Sequence, residues 1–145
     1  MFYGEYTHSL DAKGRIIIPS RFREIARSRD IGKFFVTRGL DRCLFLFTED
    51  EWKGQEAKFK DLSFTKRESR SFNRIFFSGT AEVELDVQGR VVVPKYLKEY
   101  ALIKKDVVII GVSNRIEVWA QELWREFYNA EQGSFEETAE RLVTE

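Results

Sequence analysis

Six cations fall within seventeen residues of this chain: Lys13, Arg15, Arg21, Arg23, Arg27 and Arg29, with Glu24 the only anion beyond Asp11. Lysine and arginine neutralise phosphates and release counterions, and an arginine held on a rigid hairpin can present a bidentate fork to a guanine edge. A polyanion, nucleic acid first, is the partner such a surface suits, with solvated surface charge as the bland alternative. Groups for covalent chemistry are scarce. There is one histidine, His8, one cysteine, Cys43, and no His-Glu-x-x-His, Cys-x-x-Cys or Gly-Lys-Ser/Thr loop. Asp11 and Asp86 could be the paired carboxylates of a hydrolase. The simpler role for each is to accept turn amides and hold the arginine four residues ahead, Arg15 or Arg90. No enzyme, cofactor or metal is expected, and Cys43, inside the apolar run Cys43-Leu-Phe-Leu-Phe47, reads as a buried small hydrophobe.

The element that must position these cations is written twice. Leu10-Asp-Ala-Lys-Gly-Arg-Ile-Ile-Ile-Pro19 returns as Leu85-Asp-Val-Gln-Gly-Arg-Val-Val-Val-Pro94, offset by 75, so the chain is a tandem duplication. Phe22, Ile25 and Ala26 fall on Leu97, Tyr100 and Ala101. After a three-residue deletion, Gly39, Leu44, Phe47 and Trp52 fall on Gly111, Ile116, Trp119 and Trp124. In each copy an alternating strand (Phe2 to Leu10 in the first) leads into a turn, where Asp11 and Gly14, or Asp86 and Gly89, fit a type I turn closed by a left-handed glycine. The return strands Arg15 to Ile18 and Arg90 to Val93 are continuously apolar, which predicts burial on both faces. Pro19 and Pro94 then admit a short helix, and a second strand pair follows. The unit is β-β-α-β-β. Capping boxes at Thr48/Glu51, Thr65/Glu68 and Ser134/Glu137 predict two linking helices and a tail helix bearing Phe135, Ala139 and Leu142.

These boundaries divide the chain into a first unit over 1–48, linking helices over 49–78, a second unit over 79–124 and a helical tail over 125–145. Neither unit is large enough to be stable alone, so the two should share one core. The net charge of zero hides +4 on 1–48, +1 on 49–78 and −5 on 79–145. A basic unit joined to an acidic one suits a polyanion on the first unit and attraction between unlike ends of neighbouring subunits. The second copy is the weaker cation source, because Lys13 becomes Gln88, Arg21 becomes Tyr96 and Leu102 stands opposite Arg27. The amino terminus has no signal-like pattern, the apolar runs are strand-sized and a single cysteine excludes an internal disulfide, which together suggest a cytoplasmic protein with no membrane partner.

Met1-Phe-x-Gly-x-x-x-His-x-Leu-Asp-x-Lys-Gly-Arg15, with Pro19, Arg23 and a second Asp-x-x-Gly-Arg at 86–90, resembles the MraZ family of bacterial proteins over nearly the whole chain. It also resembles the AbrB/SpoVT-like swapped-hairpin DNA-binding modules, here two in tandem. The resemblance implies an α+β fold: a double-split β-barrel of two swapped-hairpin units with flanking helices, assembled into homo-oligomeric rings, for which the unlike charges of the two units suggest a head-to-tail contact. It further implies a cytoplasmic, nucleoid-associated regulator. Such a protein binds short direct repeats in double-stranded DNA upstream of the division and cell-wall gene cluster that includes its own gene, usually as a repressor. Lys13 and Arg15 become the expected DNA-contacting pair, with Arg90 as the matching position and Arg21 and Arg23 from the basic set beside them. The alternative is an antitoxin-like protein-interaction module.

Overall fold

The computed structural model describes residues 1–143 as an α+β fold in which every strand pairing is antiparallel. The first copy supplies β1 (Phe2–Ser9), β2 (Arg15–Ile17), α1 (Ser20–Ser28), β3 (Lys33–Arg38) and β4 (Leu44–Phe47). The second supplies β5 (Ala81–Glu84), β6 (Arg90–Val92), α4 (Lys95–Tyr100), β7 (Asp106–Ser113) and β8 (Ile116–Ala120). Helices α2 (Glu49–Lys60) and α3 (Arg67–Ser78) join them, and α5 (Gln121–Glu131), a 3-10 turn and α6 (Phe135–Val143) follow.

The order of the six-stranded sheet, β1-β7-β8-β4-β3-β5, is unchanged when the copies are exchanged and the order reversed. A pseudo-two-fold axis therefore passes between β4 and β8, and the two copies interlock. The turn after β1 closes through Asp11 N–H to Arg15 O at 3.0 Å, yet the strands on either side then part company. β1 runs along β7 from Phe2↔Ser113 to Ser9↔Asp106, whereas β2 pairs with β6 in a separate two-stranded ribbon. The expected local hairpin exists only at its turn. β1 and β2 thus take their strand partners from the other copy, while Phe2 and Tyr6 of β1 also pack edge-on against Phe22 of their own copy at 5.3 Å, so one core draws on both copies.

Ile16, Ile18, Val91 and Val93 face inward beside Phe22, Leu97, Phe34, Ile109 and Val118. Burial on both faces of the ribbon, as the continuous runs predicted, does not occur. Alternation puts Arg15, Ile17, Arg90 and Val92 on the outer face, and Val92 is 53% exposed. β-Branched residues there satisfy strand geometry without burial.

Helix α1 has nine residues and α4 six, which accounts for the three-residue deletion. Both end in the same Schellman geometry. Asp30 and Leu102 take φ of +54° and +56°, Ile31 N–H donates to Ala26 O at 2.7 Å, and Ile103 N–H donates to Lys98 O at 2.9 Å. Leu102 thus occupies the place of Asp30, correcting the match to Arg27. Thr48 caps α2 by accepting from Glu51 N–H. The other two capping boxes do not form. Thr65 Oγ1 pairs with Ser63 Oγ while α3 starts after Lys66, and Ser134 Oγ donates back to Glu131 O in a turn continuous with α5. Helices α2 and α3 cover the sheet through an aromatic cluster, with Trp52 stacked between Phe35 and Phe76. Among the described residues, no helix is long and apolar enough to cross a membrane.

Candidate nucleic-acid interface

The two Asp-x-x-Gly-Arg turns flank the β2–β6 ribbon and have matching geometry. Asp11 Oδ1 accepts from Lys13 N–H and Arg15 N–H, both at 2.9 Å, and Asp11 Oδ2 accepts from Arg15 Nε at 2.6 Å. Asp86 repeats this on Gln88 N–H, Arg90 N–H and Arg90 Nε, at 2.9, 2.9 and 2.8 Å. Gly14 and Gly89 take φ of +75° and +79°, where a side chain would be strained. Each glycine carbonyl extends the ribbon by accepting from the other copy, Gly14 O from Val93 N–H and Gly89 O from Ile18 N–H, both at 2.9 Å.

The amides and guanidinium around Asp11 hold its carboxyl at about 2, the Arg15 N–H contributing most, and Asp86 is lowered for the same reasons. A carboxylate so saturated with donors is a brace, which is the non-catalytic role. Among the described residues no group of three or more His, Cys, Asp and Glu side chains could hold a metal ion. Burial pushes the Cys43 thiol up, and Cys43 Sγ contacts Leu40 O. The half-buried His8 has its pKa lowered by burial and then by the charge of Arg23.

Of the five cations singled out above, Arg15, Lys13 and Arg90 come together at the turns. Arg90 Nη1 lies 3.9 Å from Asp11 Oδ2, so the two motifs share one charge cluster. Arg23 serves the turns differently. Its Nε donates to Ile18 O at 2.8 Å, and its side chain lies across Gly89, where any Cβ would collide with Arg23 Cδ. Lys98, its counterpart on α4, reaches over Gly14, where a Cβ would stand 3.1 Å from Lys98 Nζ. Each copy's helix thus braces the other copy's turn, a relation hidden in the sequence because both partners belong to different repeats. Arg21 lies elsewhere, in a groove between β1 and α1 with Tyr3, Tyr6 and Glu24.

One buried charged group is not distinguished by the sequence pattern. Glu117, buried in β8, accepts from Trp119 Nε1 at 2.9 Å and pairs with Arg115, whose guanidinium lies 4.8 Å from the Phe45 ring centroid. The alternation of charged and apolar residues in Arg115-Ile-Glu-Val-Trp119 was the available signal, but it equally describes a strand with a solvated face.

These features define a class: two interlocked copies of one β-β-α-β-β unit that present a pair of carboxylate-braced, arginine-bearing turns. A family model described as "MraZ protein, putative antitoxin-like" matches residues 1–75 and again 76–145. The "Transcriptional regulator MraZ" of Carboxydothermus hydrogenoformans is 54% identical over 144 residues, covering 99% of this chain and 97% of that protein. The chain belongs to the MraZ family, and the relative is a regulator, not an enzyme. A solved archaeal structure, PHS018 from Pyrococcus horikoshii, is 17% identical over 81% of this chain and 88% of its own, with a TM-score of 0.32.

Proposed function

We propose that this protein is a sequence-specific, DNA-binding transcriptional regulator that uses the outer face of the β2–β6 ribbon and its two turns. The observation that carries this reading is the joined cluster of Arg15 and Arg90, each held through Nε by its own aspartate. A two-stranded ribbon fits the major groove, and an arginine fixed before binding loses little side-chain freedom on contact. The regulator's name borne by the 54% identical relative supports the same reading. The cross-copy strand pairing also supports a double-split barrel of swapped hairpins.

The targets in this proposal are short direct repeats in the promoter of the division and cell-wall cluster that includes the protein's own gene, with repression as the outcome and the cytoplasmic nucleoid as its place. The +4 first unit meeting the −5 second unit and tail of a neighbour gives a head-to-tail contact, which closes into a ring when the rotation per step allows. Several turns on one ring raise the effective concentration at repeated sites. The "antitoxin-like" wording of the family description favours a second reading, a protein-interaction module without operator specificity.

Arg15→Ala tests the proposal. Binding to DNA upstream of the protein's own gene is measured for both proteins over a salt series. The expected result is loss of the specific complex with an unchanged circular dichroism spectrum, and a salt slope smaller by about one for each lost phosphate contact. Equal specific binding by both proteins moves the DNA surface elsewhere, and no specific binding by either favours the interaction module.

A further inference from the structure

The two turns share a backbone and differ in what they display. Ala12 and Lys13 stand in the first where Val87 and Gln88 stand in the second. The common Asp-to-amide bonds and left-handed glycines define both turns, so neither Val87 nor Gln88 is required by the conformation. Val87 is fully exposed, and Gln88 is exposed beside it. A β-branched residue gains nothing from strand packing in a turn, and single exposed apolar residues are ordinary. Val87 stands in the turn that leads into β6 at Arg90, whereas the other exposed valine, Val92, sits opposite Arg15 at the first turn's end of the ribbon. The second turn thus displays an aliphatic group and a primary amide beside its arginine, Arg90, where the first displays a methyl group and a lysine beside Arg15.

We propose that the two turns read different bases: Val87 and Gln88 are specificity-determining residues for A·T pairs, and Lys13 with Arg15 engages guanine and phosphate. The chemistry is complementary at each end. An apolar side chain meets the 5-methyl group of thymine, a glutamine amide matches adenine N6 and N7 bidentately, and lysine or arginine matches guanine O6 and N7. The second unit, poor in cations, then contributes base discrimination where the first contributes most of the charge. This inference rests on the DNA-binding reading above and assigns its second half.

The test selects duplexes from a randomised library with the wild type, Val87→Ala, Gln88→Lys and Arg15→Ala, and then replaces each thymine of the wild-type site singly by deoxyuridine, which lacks the methyl group. The wild type should lose about three- to tenfold in affinity at one thymine per site, and Val87→Ala should be indifferent to that replacement. Gln88→Lys, which copies the first turn, should shift the selected base from adenine to guanine by about tenfold. Circular dichroism and thermal melting confirm that the variants fold. Unchanged selected sequences and an unchanged uridine profile in Val87→Ala and Gln88→Lys would overturn the assignment while leaving the DNA-binding reading intact. A wild type that enriches no sequence beyond Arg15→Ala would overturn both.

Discussion

At the scale of single residues, the turn motif couples charge to conformation. Asp11 titrates at about 2, below its ordinary 3.8, and Asp86 is lowered as well. The sign follows from linkage: the ionised, bonded carboxylate stabilises the folded state above the unfolded value, and that stability is lost as pH falls through the folded value. Thermal midpoints measured from pH 5 to pH 2 should therefore decline below about pH 4, and the decline should be shallower in Asp11→Asn. The glycines are unequal. Gly14→Ala introduces strain at positive φ against a movable lysine end, whereas Gly89→Ala also pushes against Arg23 near its bond to Ile18 O. Urea denaturation should show a loss of about 1 kcal/mol for Gly14→Ala and clearly more for Gly89→Ala. Glu117→Ala removes the acceptor of Trp119 Nε1 and the partner of Arg115, and should cost about 2–3 kcal/mol in the same experiment.

At the scale of elements, the two short helices show how one architectural slot tolerates two sequences. Both close with a left-handed residue and the same pair of Schellman bonds, although α4 is shorter. Asparagine or aspartate accepts that conformation more readily than leucine, whose exposed side chain at 102 recovers little by packing. Leu102→Gly should raise stability by about 0.5–1 kcal/mol, measured as a higher denaturation midpoint at unchanged slope, with no change in far-ultraviolet circular dichroism. The turns, the helices after Pro19 and Pro94, and the Thr48 cap were legible because each depends on neighbours within about five residues. The failed capping boxes show the limit of that locality. The Thr65 hydroxyl found Ser63 and Ser134 turned back to Glu131, competing bonds that the spacing of serine and glutamate does not record.

At the scale of the whole molecule, interlocking makes the two copies one cooperative unit. β1 on β7, β2 on β6, β3 on β5 and β4 on β8 all join different repeats. Trp52 reports on the first copy's aromatic cluster, and Trp119 and Trp124 report on the second's. Urea titrations of a variant retaining only Trp52 and of one lacking only Trp52 should each superimpose fluorescence on circular dichroism in a single transition. Two separated transitions within either variant would show that the copies unfold independently.

The sequence alone determined the duplication, the order of elements within each copy, the turn conformation and the family, since these are carried by adjacent residues and by repeated identity. It also placed Lys13, Arg15 and Arg90 on matching turns. The tertiary structure decided which strands pair, which face of the ribbon stays exposed, and that Arg23 and Lys98 cross over to brace opposite turns. A strand's pattern states that one face must be buried but is silent on which strand covers it, because burial rewards any apolar partner of the right shape. Only the simultaneous closure of both copies around one core selected the partner.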